Sequence, residues 1–175
     1  MSDSVFDRFI QRQAEEGAKL AESSDLFALT PLFGRRFVAE FRCKGLARVH
    51  GRVVEHDYWA IGIRFPEDYL RRAVDVAEVL TFLGPQEPEP WHVNIRPPFI
   101  CMHVAPGAPL VEIVYGLYDL LTWALYSTAD NGLSSSCAQW ARNQPPGRFP
   151  TDRRPLKRRR IALQVEVAGK ESSHE

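Results

Sequence analysis

This chain carries no excess of charge. Its 22 Lys and Arg residues are matched by 22 Asp and Glu. Net charge alone therefore points to no polyanionic or polycationic partner. It also has no long apolar run. Glu112 and Asp119 interrupt the longest one, which argues against a membrane span. Cysteine is scarce: three residues, an odd number with no paired spacing. A disulfide framework has nothing to build on, and the chain reads as one with free thiols in a reducing cytoplasm. The start, MSDSVFDRF, lacks the charged-then-apolar order of a secretory signal. There is no internal repeat and no low-complexity stretch.

What is present is the composition of a folded protein. Of 175 residues, 45% are apolar and 25% charged, enough for one core of ordinary size. Ser4–Ala21 reads as an amphipathic helix with Phe6, Phe9, Ile10 and Leu20 on one stripe, broken where Gln13 and Gly17 fall on the same face. Arg36–Lys44 alternates, with Phe37, Ala39, Phe41 and Cys43 on one side, as a half-buried strand does. Arg52–Phe65 holds two further strands, the second with Tyr58, Ala60 and Gly62 on one face. Val74–Leu83 is a fourth strand or a short helix. Five prolines make Gly84–Pro98 irregular. Pro109–Tyr126 is the clearest helix, with Leu110, Ile113, Val114, Leu117, Leu121 and Ala124 at helical spacing. A short helix follows at Leu133–Arg142, with Leu133, Cys137, Trp140 and Ala141 on one side. Strands followed by helices predict an α+β fold: an N-terminal helix, a four-stranded antiparallel meander, a proline-rich loop, then C-terminal helices. Ile161, Leu163, Val165 and Val167 alternate as a terminal strand would, and the last eight residues read as disordered.

The chemistry concentrates in Trp91–Met102, WHVNIRPPFICM. His92, Asn94 and Cys101 lie on one proline-interrupted loop before the apolar helix. A thiol accepts an acyl group, and a carboxamide donates a hydrogen bond to the oxyanion that forms when an amine attacks that group. Cys43 and Cys137 sit in register with apolar neighbours and read as small buried hydrophobes. Cys101 has no such period, so a structural role and a reactive one both stand on local features. His92, Cys101 and His103 offer imidazole and thiolate ligands to a metal. The only close pair, Cys101-x-His103, and the lack of a fourth ligand argue against a zinc site. A thiol hydrolase would need a histidine paired with Cys101, which spacing does not reveal.

The order of FPEDY at Phe65–Tyr69, HVN at His92–Asn94, ICM at Ile100–Met102 and the following helix resembles the E2-type ubiquitin-conjugating enzymes. Those read FP-x-x-Y-P, then HPN, then a cysteine, then a helix. ADNGL, Ala129–Leu133, is similar to the family's acidic loop, and LSSSCAQWA to its next helix. Val93 replaces the central proline, Leu70 stands at the last proline of the earlier motif, and His92 to Cys101 is one residue shorter than in eukaryotic members. The chain looks like a divergent bacterial member of the kind found in antiphage conjugation operons. The resemblance implies a UBC-like domain over residues 1–145 and a basic C-terminal extension over 146–175. It implies Cys101 as the thioester nucleophile, with Asn94 stabilising the oxyanion or organising the loop. Asp130 would be the carboxylate that helps the amine shed its proton, unless Asp130-Asn131-Gly132 is only a turn. His92 and Tyr69 would be structural near the site. Implied partners are an E1-like activating enzyme, a ubiquitin-like modifier and a protein bearing an acceptor lysine; no cofactor or metal is required. A non-catalytic scaffold of the same fold is the competing reading. Six of the eight residues Arg153–Arg160 are basic. That run is expected to lie outside the catalytic core, as a solvated tail or a docking patch for an acidic partner. No one-sided basic groove with interleaved aromatics is evident, which argues against nucleic acid.

Overall fold

A computed structural model describes residues 4–127 and 132–158. Helix α1 (Ser4–Glu22) buries Phe6, Gln13, Gly17 and Leu20, a spacing that returns to one face every three or four residues. Both breaks in its apolar stripe are contact points. Gln13 is buried, and its Oε1 accepts a 2.7 Å bond from the N–H of Leu110. That N–H opens helix α3 (Leu110–Leu121), whose N-cap Pro109 offers no capping side chain. The glutamine of one helix therefore caps the other. At Gly17 a Cβ would stand 2.4 Å from Leu29 Cδ2 and 2.9 Å from Leu110 Cδ2, so a larger residue here would have to displace both leucine methyls.

Four antiparallel strands form the main sheet in the order β1 (Phe27–Leu32), β2 (Arg36–Phe41), β5 (Trp59–Arg64) and β6 (Leu80–Gly84). The fold class is α+β with antiparallel sheets, as the sequence predicts. The membership of the sheet differs. Phe27–Leu32, with Pro31 inside it and no clean alternation, supplies an edge strand that periodicity did not mark. Arg52–His56, expected in the meander, is β4 and pairs back on β3 (Gly45–Val49) in a separate hairpin. On β5 the core face is Trp59, Ile61 and Ile63, so Tyr58, Ala60 and Gly62 share the outer face. Val74–Leu83 contains both expected structures: the one-turn α2 (Val76–Val79), capped by Asp75 and Glu78, runs directly into β6.

The main core lies between the inner face of this sheet and helices α1 and α3. A second, aromatic core gathers Trp91, Val93, Trp123, Cys137 and Ala138 with Trp140, Tyr126 and Phe149. Helix α3 stops at Leu121, short of the expected Tyr126, because Trp123 takes a left-handed φ of 61°. Ala124 lies beyond that turn and is exposed. Helix α4 (Ser135–Arg142) starts at a Ser134 cap. Beyond it the chain straps back across the core. Thr151 N–H donates to Thr122 O at 2.7 Å, Asp152 accepts from Lys44 N–H at 2.9 Å, and Arg158 N–H donates to Ser23 O at 2.9 Å. The run expected outside the core thus includes Leu156, which is buried within it. The alternating segment at 161–167 lies outside the described residues. Among those described, no helix is long and apolar enough to cross a membrane.

Candidate functional site

The short strand β7 (Glu89–Pro90) pairs with β3 and delivers Trp91, whose N–H bonds Leu46 O at 2.8 Å. The chain then turns at His92. Asn94 N–H donates to His92 Nδ1 at 3.0 Å, and Ile95 N–H donates to His92 O at 3.3 Å. Strands β8 (Ile95–Arg96) and β9 (Phe99–Ile100) follow as a tight antiparallel pair around Pro97 and Pro98. The Pro98 carbonyl accepts from Phe82 N–H at 2.8 Å and ties the hairpin tip to β6. One step below the Ile95–Ile100 pair, Cys101 N–H donates to Asn94 O at 2.8 Å. Asn94 and Cys101, seven residues apart in sequence, are therefore direct cross-strand neighbours.

The asparagine amide has a defined orientation. Its Oδ1 accepts a 3.1 Å bond from Ser127 N–H, a donor that only the oxygen can serve. Among the described residues Nδ2 has no partner and remains available to donate. Ser127 is held there because α3 reverses at Trp123. The following chain returns to the same triplet: Leu133 N–H donates to Val93 O at 2.8 Å. Gly132 packs closely at that return: a Cβ would stand 3.0 Å from Val93 O. Val93, where the conjugating family has proline, is fully buried in the aromatic core. Asp130 lies outside the described residues, between these two anchors.

His92 is buried against the Trp123 ring, 4.4 Å between centroids. Burial drives its pKa down to about 3, opposed only in part by the Leu125 and Leu120 backbone. No acceptor among the described residues meets Nε2 with hydrogen-bond geometry. The ring is neutral, and its Nδ1 accepts from the Asn94 N–H two residues on. Tyr69 is also buried; its hydroxyl donates to Ala108 O at 2.8 Å and so holds the segment between Cys101 and α3.

The thiols divide sharply. Cys43 and Cys137 are buried, and burial pushes each up to about 12, with Asp152 adding to the effect at Cys43. Both stay protonated and inaccessible at neutral pH. Cys101 is the exposed one. Among the described residues, no three His, Cys, Asp or Glu side chains converge as a metal site, and the suggested set of His92, Cys101 and His103 is not assembled. Periodicity missed Ser127, Trp123 and Phe149, which position the triplet from distant parts of the chain. Phe149 stacks on Trp123 at 4.7 Å and 9°. The basic run is partly engaged: Arg154 pairs with Asp152, and Arg158 with Asp25 at 3.4 Å. No family model, curated protein or solved structure matches this chain.

Proposed function

We propose that this protein is a conjugating enzyme of the E2 type, with a UBC-like arrangement, which carries a ubiquitin-like modifier as a thioester on Cys101. One observation carries the reading: the single exposed thiol lies directly across a hairpin from an asparagine whose amide is oriented by Ser127 and leaves Nδ2 free. Buried structural cysteines need no such neighbour. The Cys101 thiolate attacks the carbonyl of a thioester held on an activating enzyme; a C–S bond forms to Cys101 and the activating enzyme's thiolate leaves. An acceptor amine then attacks the same carbonyl, a C–N bond forms, and the Cys101 thiolate departs as the amine loses a proton. Asn94 Nδ2 would donate to the oxyanion of that second step. Asp130 is proposed as the carboxylate that receives the amine in its proximity. The remaining Arg and Lys of residues 153–160 are proposed to attract an acidic surface on a protein partner. A cytoplasmic setting belongs to the same reading.

The decisive experiment is charging. Incubation with a cognate activating enzyme, its modifier and ATP is expected to give a thiol-sensitive adduct. Cys101→Ala should abolish it, while Cys43→Ala leaves it intact wherever that variant folds. An adduct that survives without Cys101, or none with the native protein, returns the fold to the role of a binding scaffold.

A further inference from the structure

The loop that meets Asn94 is held from the far end of the chain. Ser127, which donates to Asn94 Oδ1, lies four residues beyond Trp123, whose left-handed φ of 61° ends α3. For a bulky side chain that conformation is costly, and it persists only where the surroundings over-determine it. Two groups of the C-terminal strap do so. The Phe149 ring lies 4.7 Å from the buried Trp123 ring at 9°, its one stacked partner among the described residues. His92, Tyr126 and Trp140 meet that ring tilted or edge-on. Two residues further, Thr151 donates to Thr122 O twice, from its N–H at 2.7 Å and its hydroxyl at 2.9 Å. The peptide joining Thr122 to Trp123 is thereby fixed at its carbonyl, and the indole at its face. Tyr126 belongs to the loop itself and His92 to the triplet, so the hold from outside comes from Trp140 and the strap.

We propose that Phe149 is a positioning residue for the transfer step: stacked on Trp123, it keeps Ser127 N–H on Asn94 Oδ1 and so aims Nδ2 at the acyl group on Cys101. It acts through Trp123 and Ser127, not on the reacting atoms. Loading does not depend on it, because the hairpin bond from Cys101 N–H to Asn94 O uses the asparagine backbone and leaves the carboxamide aside. The consequence for transfer rests on the conjugating reading; the link from Phe149 to Asn94 does not.

Amide hydrogen exchange on the full-length, uncharged protein reads that link directly. In Phe149→Leu the Ser127 N–H is expected to exchange about tenfold faster, because local opening no longer has to break the stack. The Cys101 N–H, bonded across the hairpin, should keep its native protection. Where Phe149→Leu does not fold, Phe149→Met is read in the same way. Activity supplies the second arm. The variant should load at near-native rate, while discharge onto lysine from preformed thioester falls by about 10², the scale of a misplaced catalytic group. Adding Phe149→Leu to Asn94→Ala should slow discharge no further, since both changes act through one carboxamide. Unchanged exchange at Ser127, an equal quickening at Cys101, or additive losses in the double variant overturns the proposal. A native protein that never loads counts against the conjugating reading alone, and the exchange arm still decides whether Phe149 holds Asn94.

Discussion

His92 and Asn94 make opposite demands on their surroundings. The imidazole must stay neutral to accept from Asn94 N–H, whereas the carboxamide must keep one end free. With a folded-state pKa near 3 against an ordinary 6.5, folded His92 binds fewer protons than the unfolded chain throughout that interval. Its neutral-state stability is therefore complete above pH 6.5 and is lost as pH falls from there toward 3, by up to about 1.4 kcal/mol per pH unit. Urea unfolding at pH 7.5 and 5.5 should show the native protein losing about 1.4 kcal/mol between the two. His92→Gln should be less stable at pH 7.5 but nearly indifferent to the change; an unchanged slope would mean that His92 is not the group responsible. For Asn94 the expected variant behaviour is a split. Asn94→Ala should load at near-native rate, because loading depends on access to Cys101. Discharge onto lysine should fall by about 10²–10³. Single-turnover discharge from preformed thioester measures it, and a parallel loss of both steps would assign Asn94 to the fold alone, through its bond to Ser127.

At the scale of elements, the join between α1 and α3 is the most constrained contact. A glycine inside a 19-residue helix ordinarily costs about 1 kcal/mol relative to alanine, so Gly17→Ala on an exposed helix would stabilise. Here the added methyl meets Leu29 at 2.4 Å and Leu110 at 2.9 Å. Overpacking of this kind costs about 1–3 kcal/mol and offsets the helical gain. Gly17→Ala is expected to lower the denaturation midpoint, and any increase would show that Leu29 and Leu110 yield freely. The same contact carries the Gln13 bond that opens α3, so the start of the helix after the candidate site depends on the first helix of the chain.

For the whole molecule, the strap at 150–158 closes the fold. Asp152 is buried, which by itself would raise its pKa, but Arg154 and the N–H groups of Lys44 and Arg154 outweigh burial and hold it at about 2. Leu156 fills the main core from this strap. Leu156→Ala should cost about 2–5 kcal/mol, as buried leucines do elsewhere. A detached basic tail would lose nothing, so calorimetry of this one variant separates the two descriptions. Leu156 has no part in the proposed chemistry, so the variant should discharge preformed thioester at near-native rate below its melting temperature.

Much of this was legible from local pattern. Period-2 alternation placed Phe37, Ala39, Phe41 and Cys43 on the core face, and helical spacing placed Leu110, Ile113, Val114 and Leu117, because burial of one face writes a period into the chain. The loop of His92, Asn94 and Cys101 stood out by residue chemistry, and the exposure of Cys101 agrees with its lack of period. Other features carried no local mark. Phe27–Leu32 is an edge strand without alternation, Gln13 and Gly17 look like flaws in a stripe until α3 lands on them, and Leu156 is hidden in a basic run. The partner of Asn94 is a backbone N–H at Ser127, a group every non-proline residue possesses, so no side chain advertises it. The sequence by itself determined which residues want burial and which can do chemistry, since both are properties of side chains and their spacing. Tertiary structure alone decided which distant N–H groups, carbonyls and rings meet them, because such contacts depend on how the elements pack and leave no period in the chain.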